Sequence, residues 1–186
     1  MHMTKTNISI RPAKFSDLST IQKLGCETYA DHFSSLWSPE GLRNFLEQDF
    51  SVEALELTLS HPNQHQWLIA YDSSDLPFGL SKTNWSQPNP ITNILGAELQ
   101  KIYLLKSFSG VGAGTELLKT SIKNTILRGE PSIWLDVLKT NTKAHKFYSR
   151  FGFNQVGEVP FKTDLKEIGM TVMACDLRQA ESPLVL

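Results

Sequence analysis

A mixed β-sheet of about seven strands with helices on both faces, an α/β (α+β) fold, is predicted by three features of the sequence. Helical hydrophobic spacing occupies the first third and gives way to strand-like runs at Gln66. Further on, short apolar runs alternate with amphipathic stretches, and a glycine-rich turn joins one such run to a helix.

In order, Ile8 to Arg11 alternates apolar and polar residues and reads as a first strand; Ser16 then caps a helix running to about Ala30. Pro39-Glu40-Gly41 starts a second helix through Leu46, and Val52 to Leu59 forms a third, stopped by His61-Pro62-Asn63. Trp67 to Tyr71 and Phe78 to Ser81 form a hairpin around Asp72-Ser73-Ser74-Asp75. A loop from Ser86 to Asn93, rich in proline and asparagine, precedes a strand from Ala97 to Leu105. A helix from Thr115 to Arg128, a strand from Ile133 to Leu138, a helix from Asn141 to Arg150 and strands at Phe153 to Val159 and Ile168 to Leu177 complete the order.

A chain of 186 residues, 40% hydrophobic, supports one domain over residues 1–180, followed by a tail at 181–186. The apolar tail end, Pro183-Leu184-Val185-Leu186, is expected to be disordered, with packing against a second subunit in a homodimer as the alternative. A net charge of −1, with 18 basic residues spread along the chain, argues against nucleic acid as a partner. Apolar runs too short to span a membrane, and an N-terminus without a signal-peptide core, point to the cytoplasm. Cys26 and Cys175 read as buried thiols, and His61 and His65 as members of a polar loop, so no metal site is expected.

Chemistry is concentrated in two stretches. In Ser109-Gly110-Val111-Gly112-Ala113-Gly114-Thr115, glycines between a strand and a helix let the backbone approach a ligand closely, while the free N–H groups of the helix start face an anion such as a pyrophosphate. A nucleotide P-loop is excluded, because Thr115-Glu116 stands where Lys-Ser/Thr is required. A dinucleotide fingerprint lacks its third glycine at Thr115, although Asp136 stands where a ribose-binding acid would. In the second stretch, Asp136 to Phe153, Asn141 caps a helix, Ala144 brings that helix close to the sheet, Gly152 serves as its left-handed cap, and Tyr148 lies two turns in.

Together these stretches resemble the GNAT superfamily of N-acetyltransferases, whose hallmarks are a Gln/Arg-x-x-Gly-x-Gly/Ala turn and an Asn-x-x-Ala-x-x-Phe-Tyr helix followed by Gly-Phe. The match spans about Ala97 to Phe153. Glu27-Thr28-Tyr29-Ala30-Asp31, Ser38-Pro39-Glu40 and Gln100-Lys101-Ile102-Tyr103-Leu104 are similar to PaiA-type polyamine acetyltransferases. Ser109 departs from the family's Gln or Arg and leaves one hydroxyl where a longer side chain helps hold the phosphates.

The resemblance implies a mostly antiparallel, twisted sheet and direct transfer of acetyl from acetyl-CoA to an amine. Backbone groups around Ile102, Tyr103 and Leu104 would pair with the pantetheine arm, N–H groups from Gly110 to Thr115 would take the pyrophosphate, and the Asn141 amide would position the arm. Tyr148 would be the general acid. The position expected to carry the base holds Gln100, so Glu98, on the same face by strand alternation, becomes the candidate.

The acceptor would be a small-molecule amine. Glu27, Asp31, Glu40, Glu47, Asp49, Glu53 and Glu56, against Arg43 alone, suit a polycation such as spermidine or spermine if they line its site, although solvated helix faces are the commoner fate of such charges. A protein or peptide amine, a non-catalytic CoA-binding module and a dinucleotide-dependent oxidoreductase are the alternatives.

Overall fold

A computed structural model describes residues 8–110 and 112–178. The tail at 181–186 lies outside the described residues. Strand β1 (Ser9–Pro12) leads into helices α1 (Leu18–Phe33), α2 (Pro39–Phe50) and α3 (Val52–Leu59); strands β2 (His65–Tyr71), β3 (Pro77–Pro88) and β4 (Leu95–Leu104) follow. Helix α4 (Ala113–Arg128), β5 (Ser132–Leu138), α5 (Thr142–Ser149), β6 (Asn154–Val159) and β7 (Met170–Asp176) complete the described fold. The seven strands form one sheet in the order β1-β2-β3-β4-β5-β7-β6. Every pairing is antiparallel except β4 with β5.

Helices cover both faces, and strand alternation sorts the core between them. On β2, Trp67 and Ile69 pack with Ile21, Leu24, Phe50 and Leu55 of α1 to α3, whereas Leu68 and Ala70 pack with Ala113 and Leu117 of α4. Leu118 and Ile122 of α4 share a further cluster with Leu135, Tyr148 and Phe153. A strand buried on both faces reads as a continuous apolar run, which is why Trp67 to Tyr71 was legible.

Two local expectations change. Ser16 does not cap α1: it sits inside a short 3-10 turn, Phe15–Asp17, and Asp17 takes the cap position. The Asp17 carboxylate instead accepts from the Lys14 amide at 2.7 Å and from the Arg11 guanidinium, tying β1 to the helix start. The other two N-terminal helices are capped conventionally, Ser38 accepting from the Gly41 amide at 3.0 Å and Ser51 from the Ala54 amide at 3.2 Å.

The second change is at β3, which continues through Pro88 where a loop from Ser86 was expected, with Gln87 and Pro88 facing Gly96 and Leu95. Ser86 adopts φ 52° at an irregularity in this pairing, its amide and hydroxyl both donating to Glu130, so the strand bends without ending. The turn proper begins at Asn89, whose side-chain oxygen accepts from the Ile91 and Thr92 amides.

The feature that positions a site is the junction of β4 and β5. Their parallel ladder comprises only Ala97 with Ile133 and Glu98 with Trp134. Beyond it β4 stays with β3 as far as Leu104 opposite Gly79, and β5 stays with β7 as far as Leu138 opposite Met170. The two strands therefore part after Glu98 and leave a slot between them. A bulge sits at the point of parting: Lys82 faces Lys101 but Thr83 faces Leu99, leaving Gln100 unpaired. An extra residue of this kind bends a strand and increases its twist.

Candidate active site

One end of the slot is the glycine turn. Stacking of Phe108 on Phe78, at 4.1 Å between ring centres, anchors the chain just before it. Gly110 and Gly112 adopt φ 85° and 86°, and a Cβ built on either would meet nothing within 4 Å, so these positions border open space. The first intrahelical bond of α4 runs from the Glu116 amide to the Gly112 carbonyl, at 3.1 Å. The amides of Ala113, Gly114 and Thr115 precede it and have no acceptor among the described residues. Ser109 is exposed, with its hydroxyl beside the same turn. Val111 lies outside the described residues.

The β4 wall presents half-buried Ile102, Tyr103 and Leu104. The His32 ring donates to the Leu104 carbonyl at 2.9 Å, so one of the expected backbone acceptors on this edge is already partly engaged. Across the slot, Asn141 caps α5 by accepting from the Ala144 amide at 3.1 Å, which leaves its amide nitrogen available. Ala144 packs on the core, and Gly152 takes φ 85° in the turn that ends α5. An open backbone edge, a helix start with uncommitted amides and a glycine cradle together fit the arm and diphosphate of coenzyme A.

Tyr148 is both core and site. Its ring packs against Phe147 and Phe153, and its hydroxyl, which makes no hydrogen bond among the described residues, is not left as a buried unsatisfied group. Burial pushes its pKa well up, with the charge of Asp136 adding to the effect. The Tyr103 phenol is raised in the same way, and feels Tyr29, Asp49, Tyr148 and Asp136 in turn. These hydroxyls and carboxylates therefore converge at the bend of the slot.

The bulge corrects the expectation that Gln100 shares a face with Glu98. Gln100 is bulged out and exposed, and Lys101 takes the place beside Glu98, facing α1 to α3. Lys101 is 6% exposed, pairs with Asp49 and lies over the Phe50 ring. Glu98 accepts a hydrogen bond from Asn84 at 2.7 Å. Asp136 keeps water-accessible surface, but its carboxyl is raised by burial and then by Glu98, as befits an acid in a concave recess. Glu98, Ser109, Gly110 and Gly112 to Thr115 thus border one slot with Ile102 to Leu104, Asn141 and Tyr148.

Lys82 and Asn84 escaped sequence reasoning; Asp49 entered it only among the acidic residues of the helices, Lys101 only within a stretch of family resemblance, and Asp136 only as a ribose-binding acid. The signal available was two lysines inside otherwise apolar strand runs. His65, expected in a polar loop, is a strand residue bonded to Asn84, and Cys26 and Cys175 are half-buried free thiols. Among the described residues no group of three or more His, Cys, Asp or Glu side chains could hold a metal, and no helix is long and apolar enough to cross a membrane.

Lys82 is 9% exposed, lies over the Trp67 ring at 5.5 Å, and its ammonium has no ion-pair or hydrogen-bond partner among the described residues. Burial and then Lys101 lower its pKa to about 8, against the pull of Asp49 and Glu98. A base with a depressed native pKa destabilises the fold while it is protonated. The penalty is complete below pH 8 and vanishes as pH rises through the unfolded value near 10.5. Lys82→Met is expected to raise unfolding free energy at pH 7 by on the order of 3 kcal/mol. The gain should fade between pH 8 and 10.5, as read by urea denaturation across that range.

A roof spans the slot on the α1 to α3 side. Tyr29, Phe33, Phe45 and Tyr103 form a run of touching aromatic rings that reaches Trp37. The indole of Trp37 donates to the Tyr29 hydroxyl at 3.1 Å, and burial pushes that phenol to about 12. Trp37 meets Phe161 edge-on at 6.3 Å, and the Ser38 amide and hydroxyl both donate to Asp164. The α1–α2 connection is thereby strapped to the β6–β7 connection, which belongs to the opposite half of the sheet.

The acidic residues divide. Glu27, Asp31, Glu40, Glu47, Glu53 and Glu56 are exposed on the helices, and Asp49 alone of that group is drawn inward.

Comparison with known proteins places this arrangement. An uncharacterized N-acetyltransferase in the pepI 3′ region of Lactobacillus delbrueckii subsp. lactis is 26% identical over 84% of this chain and 90% of its own length. Among solved structures, the PaiA N-acetyltransferase of Thermoplasma acidophilum, in complex with coenzyme A, superposes with a TM-score of 0.75 at 19% identity, over 91% of this chain and 99% of that one. A variant of the SpeG spermidine N-acetyltransferase of Vibrio cholerae does so at 0.65 and 18% identity, over 91% and 93%. The family model for the acetyltransferase (GNAT) family matches residues 26–153, more than half of the chain, and the chain accordingly belongs to the GNAT family of acetyl-CoA-dependent N-acetyltransferases.

Proposed function

We propose that this enzyme acetylates a primary amine held at the bend of the β4–β5 slot, with a polyamine such as spermidine as the acceptor class. One observation carries the reading: the two strands part directly after Glu98, so the glycine cradle, the open β4 edge, Tyr148 and two carboxylates border a single slot. Acetyl-CoA supplies the acyl thioester; the roles below are those of the chain's own residues.

The amides of Ala113 to Thr115, with the Ser109 hydroxyl, hold the diphosphate, and Asn141 orients the arm. A primary ammonium with pKa about 10.4 must lose a proton before its nitrogen can attack, a cost of roughly 4–5 kcal/mol at neutral pH. Glu98 takes that proton, and Asp136 lies close enough to share the charge of the approaching ammonium. As the C–N bond forms and the C–S bond breaks, the nitrogen gives up its second proton to the departing sulfur, and Tyr148 faces that sulfur. With its pKa raised, the phenol keeps its proton at every working pH and stabilises the thiolate by donating a hydrogen bond.

For the acceptor, the exposed carboxylates of α1 to α3 favour a polycation by their field, and the half-buried rings of Phe33, Trp37 and Tyr103 supply apolar wall for its methylenes. That one fold neighbour is a spermidine N-acetyltransferase agrees with this reading. The ammonium of Lys82, which has no ion-pair or hydrogen-bond partner among the described residues, favours a second reading, an amino-acid or peptide amine whose carboxylate would neutralise it.

Turnover of acetyl-CoA with spermidine, spermine, free amino acids and short peptides separates the two. Spermidine and spermine are expected to give the highest kcat/KM, falling as salt is raised. Turnover confined to amines that carry a carboxylate would establish the second reading, and coenzyme A binding without turnover on any amine would remove the catalytic roles.

A further inference from the structure

We propose that His65 and Asn84 are positioning residues that aim the Glu98 carboxylate into the slot, an inference that rests on the reading of Glu98 as the base. The three residues face one another across adjacent strands, His65 of β2 opposite Asn84 of β3, and Asn84 opposite Glu98 of β4. Asn84 Nδ2 lies 2.7 Å from Glu98 Oε2, and His65 Nδ1 lies 2.7 Å from Asn84 Oδ1.

The polarity of this chain follows from the groups themselves. A carboxylate only accepts, so the amide nitrogen of Asn84 must be the atom turned toward Glu98. The amide oxygen then faces His65, and a ring nitrogen can satisfy it only by donating. His65 therefore carries its hydrogen on Nδ1, which fixes its tautomer.

The consequence for Glu98 is orientation. Oε2 is tied down, while Oε1 has no partner among the described residues and is left to meet an incoming ammonium. Asn84 is 6% exposed, so water competes little for these bonds. The row lies immediately before the bulge at Gln100, where β4 and β5 part, so a fixed carboxylate here sits at the entrance to the slot. Without the relay, a glutamate on a strand has several rotamers to choose from, and only some of them point at the acceptor.

Other charges around the carboxylate are Lys82 on β3, Lys101 on β4, Asp49 on α2 and Asp136 on β5; His65 in turn feels Lys82 and His61. Burial lowers the His65 pKa, so the ring is neutral near pH 7. Both its neutral Nδ1–H form and its cation donate from Nδ1, so the relay does not switch with pH.

The test compares Asn84→Ala, Asn84→Asp, His65→Ala and His65→Asn with Glu98→Gln in the full-length enzyme, using coenzyme A affinity to confirm the fold. Removing a partner that orients a functional group typically costs about 10- to 100-fold. Asn84→Ala is expected to lose kcat in that range with coenzyme A affinity unchanged, and His65→Ala to lose less. His65→Asn, which keeps an N–H donor on the atom bonded to Cγ, should restore most of the His65→Ala loss. Asn84→Asp sets a second carboxylate against Glu98 and should move the acid limb of the kcat/KM profile upward by about one pH unit or more.

Wild-type kcat in Asn84→Ala and His65→Ala, alongside an inactive Glu98→Gln, overturns the relay and leaves the base standing. Full activity in Glu98→Gln removes the base, and the relay with it. Should Asn84→Ala fail to fold, the half-exposed His65 decides: equal kcat in His65→Ala and His65→Asn, both unchanged from wild type, overturns the relay.

Discussion

Replacing Gly112 by aspartate is expected to weaken coenzyme A binding by two orders of magnitude or more while the domain stays folded. Gly112 has φ 86°, a region that aspartate enters more readily than most residues, and a Cβ there meets nothing within 4 Å, so steric damage is small. The new carboxylate would stand at the start of α4, competing for the amides of Ala113 to Thr115 and repelling the diphosphate. At about 5 Å and an effective dielectric near 20, one pair of like unit charges costs roughly 3 kcal/mol, about a hundredfold in affinity. Gly112→Ala is the control: it carries only the backbone strain, about 1–2 kcal/mol, and no charge. Calorimetric titration with coenzyme A reads both, and equal affinities for the two variants would show that the diphosphate does not lie on this turn.

Glu98→Gln is expected to lower kcat by about 10²- to 10⁴-fold, the range ascribed to general-base catalysis, with coenzyme A affinity unchanged. Glutamine is nearly the same size and can keep a hydrogen bond with Asn84, so the bend of the slot keeps its shape. The loss should shrink as pH rises toward the amine pKa, because each pH unit supplies about ten times more free amine without help from a base. A loss that stays constant from pH 7 to 10 would mean that Glu98 does something other than take a proton. Tyr148 should leave no descending limb in this range, since its pKa is pushed above the ordinary phenol value.

The burial of Tyr148 changes what it can contribute. A phenol near its ordinary pKa could hand its proton to a thiolate at modest cost, but one raised by a dry, acid-flanked setting gives it up less readily. In the proposed reaction its value would lie in donating a hydrogen bond to charge that develops on sulfur, which costs no reorganisation because the ring is already held by Phe147 and Phe153. Burial likewise raises Asp136 and lowers Lys82, so the bend of the slot disfavours charge.

Much of this was legible because local chemistry leaves local marks. The helices of the first third follow from apolar spacing and from the Pro39-Glu40-Gly41 start, and in the structure Ser38 and Ser51 take the cap positions ahead of the second and third. The glycine turn and the Asn141 cap are written in consecutive residues, and each needs only its own backbone to do its work. Ser16 misled because two neighbouring residues, Ser16 and Asp17, each suit a cap, and contacts to Arg11 and Lys14 chose between them. Ser86 misled for a related reason: a strand can bend at a polar residue when a distant acid, here Glu130, satisfies the amide that the bend frees.

What the chain determined alone was the order of elements, the glycine turn at the start of α4 and the helix that carries Tyr148. Which side chains share the slot was decided only by tertiary structure. One unpaired residue at Gln100 reverses the alternation of β4 and brings Lys101, rather than Gln100, beside Glu98, and the parting of β4 from β5 opens the space they border. The physical reason is that a bulge and a splay are properties of pairing between strands. Their energies come from hydrogen bonds and burial contributed by partners such as Thr83, Asn84 and Trp134, far away in sequence, so alternation along a single strand carries no trace of them.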